Sequence, residues 1–298
     1  MTATDTQDSF GLIISYFGSS VAVLADNGQV FPCQLRRNQD LPVVGDRVRW
    51  HLDKDQTGTI SDILPRRSLF ARGDGHGKMK PIAANIDYIL IVMAPPPVMS
   101  EYLIDRYLIA AELLNIKPMI VLNKMDLLQD REREAVKTRL AQYESIPYQV
   151  IFSSTKEPGG LDQLSAALKA HSAVLVGPSG VGKSSIIRSL GENLDIRVAA
   201  VSPKGAGKHT TTATHLYPMK SGGFLIDSPG VREFSLWPVS KKDVLRGFPE
   251  FKQYSGDCKF RDCAHLVEPG CQVIAAEMDG KISAKRRESY KELLKVMS

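Results

Sequence analysis

Gly177-Pro178-Ser179-Gly180-Val181-Gly182-Lys183-Ser184 meets the spacing G-x-x-x-x-G-K-[ST] at every fixed position. Glycines so spaced let the backbone bend until successive N–H groups converge on phosphate oxygens, and a helix starting at the lysine adds partial positive charge. Lys183 would reach the β- and γ-phosphates and the Ser184 hydroxyl would ligate Mg²⁺, with Pro178, Ser179, Val181 and Ser185 completing the nucleotide-contacting set. A phosphate loop does not read a base. Asn123-Lys124-Met125-Asp126 supplies that reading, because a carboxylate is acceptor-only and Asp126 can accept from both N1–H and N2–H of guanine. Adenine offers neither donor there. Asp227-Ser228-Pro229-Gly230 fits D-x-x-G, in which the Asp holds Mg²⁺ through water and the Gly N–H meets the γ-phosphate.

These groups need a scaffold that brings them together. Apolar runs Ser172 to Val176, Lys117 to Leu122 and Phe224 to Ile226 read as strands leading into the three motifs, and Lys183 to Leu190 reads as the helix behind the phosphate loop. From Asn85 onward strand and helix patterns alternate: Ile86 to Ala94, Tyr102 to Leu114, Met119 to Leu122, Arg131 to Tyr143, Gln149 to Phe152 and Leu161 to Ala170. Such alternation predicts a mostly parallel sheet with helices on both faces and its ligand at the carboxyl ends of the strands. Ser153-Ser154-Thr155 follows one such strand; its backbone could touch guanine O6, or it could be a polar helix entry. Between Gly191 and Thr214 lies a segment of little periodicity with Lys204, Gly205, Gly207, Lys208, His209, Thr210, Thr211 and Thr212, which reads as a functional loop that closes over Mg²⁺. In common guanine-nucleotide hydrolases the phosphate loop comes first, then D-x-x-G, then N-K-x-D. Here N-K-x-D comes first, so the order is circularly permuted, which loops accommodate when the original termini lay close together.

The flanks differ from this core. From Gly11 to about Arg66, short alternating runs separated by turns such as Asp26-Asn27-Gly28 predict a small closed β-barrel of OB type. Tyr16, Phe17, Arg36, Arg37, Arg47 and Arg49 could serve single-stranded nucleic acid there, or the aromatics could be barrel core. The glycine-punctuated stretch Gly73-Asp74-Gly75-His76-Gly77-Lys78 reads as a flexible link between barrel and core. Near the other end, Cys258-x4-Cys263-x-His265-x5-Cys271 is a Cys3His set suited to structural Zn²⁺, with no position left for substrate. Cys33 stands apart and reads as packing. Ala284 to Met297 reads as an amphipathic helix with Tyr290, Leu293, Leu294 and Met297 on one side and Arg286 and Arg287 beside them. The basic run 281–287 could contact RNA phosphates, or the helix could dock on its own domain.

Composition is that of an ordinary globular protein: 298 residues, 43% hydrophobic, 24% charged, net charge +5. The length allows a full α/β core with smaller modules. Residues 1–10 are polar and lack the pattern of a signal peptide, and no apolar run reaches the roughly 18 residues of a membrane span, so a cytoplasmic location without a membrane partner is expected.

With these motifs in this order, the chain resembles the RsgA (YjeQ) family, circularly permuted GTPases dependent on the small ribosomal subunit. The resemblance implies an α/β, circularly permuted P-loop GTPase core over residues 71–238, an OB-fold RNA-binding domain over 1–70 and a zinc-binding helical domain over 239–298. It implies a GTP hydrolase acting late in maturation of the small (30S) subunit and stimulated by it. The expected partners are that subunit, its 16S rRNA, GTP and GDP, and the chain is expected to be monomeric. By the family's G-x-H-T-T pattern, Thr211 would be the loop's Mg²⁺ ligand. Ras-like GTPases orient the attacking water with a Gln directly after D-x-x-G. Here that position is Val231, which cannot hydrogen-bond water, so slow intrinsic hydrolysis is expected and His209 becomes the candidate for orienting water. His209 could alternatively pin the loop. Gly180 stands where potassium-dependent GTPases carry Asn, which argues against a potassium requirement. Two other functions would use the same loop: an RNA-binding factor in which hydrolysis is incidental, and a small-molecule kinase, against which Asp126 argues.

Overall fold

A computed structural model describes residues 9–17, 20–35, 41–53, 57–73, 78–96, 99–192, 214–227 and 237–297. Strands β1 (Ser9–Tyr16), β2 (Ser20–Ala25), β3 (Val30–Gln34), β4 (Arg47–Leu52) and β5 (Gly58–Ile63) form the barrel. Neighbours run β1-β2-β3-β5-β4, and β4 pairs back onto β1, so the sheet closes. All pairs are antiparallel except β3 with β5. Ile13, Val21, Val23, Cys33, Val48, Trp50 and Ile60 fill the interior. Gly58 is required at the parallel pairing, since a Cβ there would lie 2.4 Å from Cys33 Sγ. Leu12 and Ile14 of β1 point the other way, into the core of the neighbouring α/β unit. Because both faces of the middle of β1 are buried, Gly11 to Ile14 is an apolar run without alternation.

A hairpin of β6 (Leu69–Gly73) and β7 (Met79–Ala84) follows. The stretch read as a link is therefore the connection between two paired strands, with 74–77 outside the described residues. The 70/71 boundary falls inside β6, whose Phe70 is wholly buried.

The second sheet is ordered β10 (Gln149–Phe152), β9 (Lys117–Leu122), β8 (Tyr88–Met93), β11 (His171–Val176), β13 (Gly223–Asp227), β12 (His215–Pro218). It is parallel except for β12. Along β8, Ile89, Ile91 and Met93 face one core and Leu90 and Val92 the other, the period of a strand buried on both faces. Helices α1 (Glu101–Leu114) and α2 (Asp130–Glu144) contribute to the first core, α3 (Asp162–Ala167) and α4 (Lys183–Leu190) to the second. The helix expected over Leu161 to Ala170 is shorter, because Leu168 leaves helical geometry (ψ 2°) and Ala170 turns left-handed (φ 58°) to enter β11. β12 also pairs with β1 at Ser15↔His215, which joins this sheet to the barrel.

The C-terminal part contains α5 (Lys241–Arg246), α6 (Pro249–Ser255), α7 (Gln272–Met278) and α8 (Ala284–Met297). Phe248, Phe251, Val273, Tyr290 and Leu293 form its core together with Ile109 of α1. The approach is close: a Cβ on Gly247 would lie 2.1 Å from Ile109 Cγ1.

Candidate functional site

The phosphate-binding sequence connects β11 to α4 with three glycines in left-handed backbone: Gly177 (φ 136°), Gly180 (φ 81°) and Gly182 (φ 100°). Two of them are also sterically fixed, since a Cβ on Gly177 would sit 2.1 Å from Val92 O and one on Gly182 2.3 Å from Asn123 Nδ2. Gly180 meets nothing and needs only its φ. Ser179, Gly180 and Ser184 are exposed, Pro178, Gly182, Lys183 and Ser185 half-buried, and Gly177 and Val181 buried. Lys183 Nζ donates to Gly177 O and Pro178 O, both at 2.7 Å, so the ammonium lies folded across the loop.

N-K-x-D follows β9, with Lys124 left-handed (φ 66°) before a single 3-10 turn, Met125–Leu127. Asn123 is wholly buried, and its Nδ2 donates to Val181 O at 2.9 Å across 58 positions of sequence. This bond ties the N-K-x-D stretch to the glycine-rich loop before α4. The Lys124 stem lies against Gly182, with Cε 3.8 Å from the position of a Cβ there. Met125 is buried and its N–H donates to Ser153 O at 3.1 Å.

Ser153 and Ser154 carry more than backbone here. The Ser153 hydroxyl donates to Asn123 Oδ1 at 3.3 Å and the Ser154 hydroxyl to Asp126 Oδ1 at 2.6 Å. Ser154 Oγ in turn accepts from the N–H groups of Lys156 and Glu157. The second serine therefore fixes the orientation of the Asp126 carboxylate, a role with no signal in the sequence beyond its place after a strand.

Asp227 ends β13 directly opposite Leu175, two residues before Gly177. Ser228, Pro229, Gly230 and Val231, and the loop residues Lys204 to Thr212 with His209 and Thr211, lie outside the described residues, as do Arg36, Arg37 and His76. Ser184 and Asp227 offer hard oxygen atoms on adjoining strand and helix ends, a donor type suited to Mg²⁺.

Cys258, Cys263, His265 and Cys271 place one ligand atom each within 4.8 Å of the others. His265 Nδ1 lies 3.6 Å from Cys258 Sγ and 3.4 Å from Cys271 Sγ, and the two sulfurs are 4.0 Å apart. Tetrahedral Zn²⁺ with ordinary bond lengths requires ~3.6 Å for S···N and ~3.8 Å for S···S. The set fits that ion. Burial, and secondarily the neighbouring thiols, pushes Cys263 up to about 12, a cost that a coordinated cation removes because a ligating thiol is deprotonated. Burial lowers His265, which keeps the imidazole in its neutral, ligating form. Glu268 shapes the loop by accepting from the N–H groups of Ala264, Leu266 and Val267 at 2.8–3.0 Å.

Two nucleic-acid expectations meet packing constraints. Arg286 and Arg287 are buried (1% and 6% exposed) and paired with Asp105, Glu250 and Glu277, so they cannot meet phosphates; within the run only Lys281 and Lys285 are exposed cations. In the barrel, Tyr16 and Phe17 pack against the cores, whereas Arg49 sits over the exposed Phe10 ring at 5.9 Å and Arg47 is half-exposed, 3.7 Å from Asp26.

The family model described as RsgA GTPase matches residues 63–237. A small ribosomal subunit biogenesis GTPase RsgA of Azotobacter vinelandii is 46% identical over 289 residues, covering 95% of this chain and 84% of that protein. Its namesake in Haemophilus influenzae is 41% identical, covering 97% and 85%. Among solved structures, YjeQ from Thermotoga maritima matches with TM-score 0.77 at 29% identity, over 97% of this chain and 98% of that one. YloQ, described as a circularly permuted GTPase, matches with TM-score 0.75 at 27% identity, over 100% and 98%.

Proposed function

The chain belongs to the RsgA GTPase family, and from that premise we propose that it hydrolyses GTP to GDP and phosphate as a late maturation factor of the small ribosomal subunit, which stimulates it. The observation that carries this reading is the buried bond from Asn123 to Val181, because it holds N-K-x-D against the G-x-x-x-x-G-K-S loop, as a guanine-nucleotide site requires. Asp126, oriented by Ser154, accepts from the guanine edge, and the Lys124 stem lies along the base. The loop N–H groups and the α4 N-terminus hold the phosphates, and Lys183 exchanges its carbonyl partners for β- and γ-phosphate oxygens. Mg²⁺ would be held by Ser184, by Thr211 and through water by Asp227, and supplies charge neutralisation across the phosphate oxygens. His209 orients the attacking water when the partner stimulates hydrolysis. If His209→Ala hydrolysed GTP at the wild-type stimulated rate, that role would be wrong.

The Cys3His group holds one structural Zn²⁺, since all four ligands come from the protein. The barrel and the C-terminal module grip the subunit and its 16S rRNA, with the exposed Arg47 and the half-buried Arg49 among the barrel's described cations and Lys281 and Lys285 among the exposed cations of the tail. The chain works as a monomer in the cytoplasm on this reading; separately, among the described residues no helix is long and apolar enough to cross a membrane. The GTPase rate titrated with purified ribosomal subunits tests the whole reading. Small subunits should raise the rate, and stimulation by large subunits alone would overturn the partner.

A further inference from the structure

Among the described residues, one strand pairing joins the barrel to the nucleotide-binding sheet, that of β1 with β12 at Ser15↔His215. His215 is in turn paired with Asp227 across β12 and β13, and Asp227 with Leu175 across β13 and β11. A single row thus crosses from the barrel to the base of the phosphate loop. Residues in register on adjacent strands share a face, with Cβ atoms ~4.5–5.5 Å apart.

The row is more than a register. Ser15 is wholly buried in an otherwise apolar stretch of β1, and its hydroxyl lies 2.9 Å from His215 Nδ1 in a hydrogen bond that satisfies both groups. The β1–β2 ladder shifts register between Ile13 and Ser15, an irregularity of the kind that re-aims a side chain where a strand changes partner. β1 packs the barrel with Ile13 and the nucleotide-binding core with Leu12 and Ile14. Any displacement of β1 relative to the sheet must therefore move His215 or break its bond to Ser15.

We infer that His215, held by the barrel's Ser15, is a positioning residue for Asp227, and that this row carries the state of the barrel to the Mg²⁺ end of the nucleotide site. The inference rests on the GTPase reading of Asp227. Coupling between two ligands is the factor by which one changes the affinity of the other. For the full chain, that factor is the ratio of affinities for purified small subunits with a non-hydrolysable GTP analogue and with GDP.

Ser15→Ala and His215→Phe should each lower the factor ~3–10-fold, the range of one buried hydrogen bond. Because both remove the same interaction, the double variant should lose no more than either alone. His215→Asn, whose amide can occupy the place of Nδ1, should retain more than half of the wild-type factor, a rescue that loss of packing alone would not give. Single variants with the wild-type factor, a double variant that loses the product of the two, or a wild-type factor of one would overturn the inference. A wild type that turns over no GTP would instead contradict the function proposed above. Subunit-stimulated turnover with unchanged factors in the variants would contradict only this row.

Discussion

Replacing Arg286 by Met should detach the C-terminal module in a pH-dependent way. The Arg286 side chain is 1% exposed and fastens three elements. Its Nε and Nη2 donate to the Glu250 carboxylate of α6 at 2.7 and 3.1 Å, Nη1 to Asp105 Oδ1 of α1 at 2.6 Å, and Nη2 also to Gly247 O at 3.0 Å. The Phe248 ring centre lies 4.2 Å from the guanidinium carbon. Methionine keeps much of the stem's volume but leaves Asp105, wholly buried, without its counter-charge, and breaking one side of a buried pair costs about 3–5 kcal/mol. Glu250 is 14% exposed and can regain water, so the lower end of that range, ~3 kcal/mol, is expected. Burial raises the Asp105 pKa and Arg286 opposes that rise, so removing the arginine enlarges it. A carboxyl whose folded pKa lies above its unfolded value of about 3.9 contributes fully below that pH, and the contribution is lost as pH rises through the folded value. The deficit should therefore be larger at pH 8 than at pH 5, and Asp105→Asn added to Arg286→Met should reduce it. Urea unfolding followed by fluorescence of Trp237, which packs against the C-terminal core, reads this directly. A loss below about 1 kcal/mol, or a larger deficit at pH 5, would refute the reasoning.

Gly182→Ala forces a non-glycine residue to φ 100° and places a Cβ 2.3 Å from Asn123 Nδ2, so titration with a fluorescent GTP analogue should show at least ~10-fold weaker binding, the effect of losing a buried bond with added strain. Wild-type affinity would mean that the Asn123–Val181 contact does not organise the pocket. Cys258→Ser should lower bound zinc from one per chain and, by hydrogen exchange, open α7 and α8 before the nucleotide-binding sheet, because Cys271 is itself part of the C-terminal core. Unchanged metal content with unchanged protection would remove the zinc assignment.

The parts most legible in the sequence were those where one physical requirement fixes residue type and spacing together. Gly177, Gly180 and Gly182 announce a loop that only positive φ can build, and the strands around it emerge at the carboxyl edge where their motifs meet. The Cys3His spacing needed only its turns to be geometrically sufficient. Features that depend on what lies across the fold were not legible. Nothing local to Ser154 says that it orients Asp126, and nothing local to Ser15 says that it reaches His215, two hundred positions away. For the tail, the sequence reading leaves RNA contact and docking open although a deciding signal is present: Arg286 falls on the same helical stripe as Tyr290 and Leu293, at intervals of four and three, and that stripe is buried. A basic run is solvated only where its residues lie off the packed face.

The pocket itself is tested most directly by calorimetry of GTP and ATP on the full chain in Mg²⁺, repeated with Asp126→Asn. GTP should bind at least ~100-fold more tightly than ATP, since a site built to hydrogen-bond a base rejects one lacking the partner groups. The variant should lose that preference, because an amide presents a donor to a guanine edge that needs acceptors. Equal affinity for the two nucleotides, or an Asp126→Asn chain that still selects GTP, would mean that the two motifs joined by Asn123 do not form a guanine-nucleotide site.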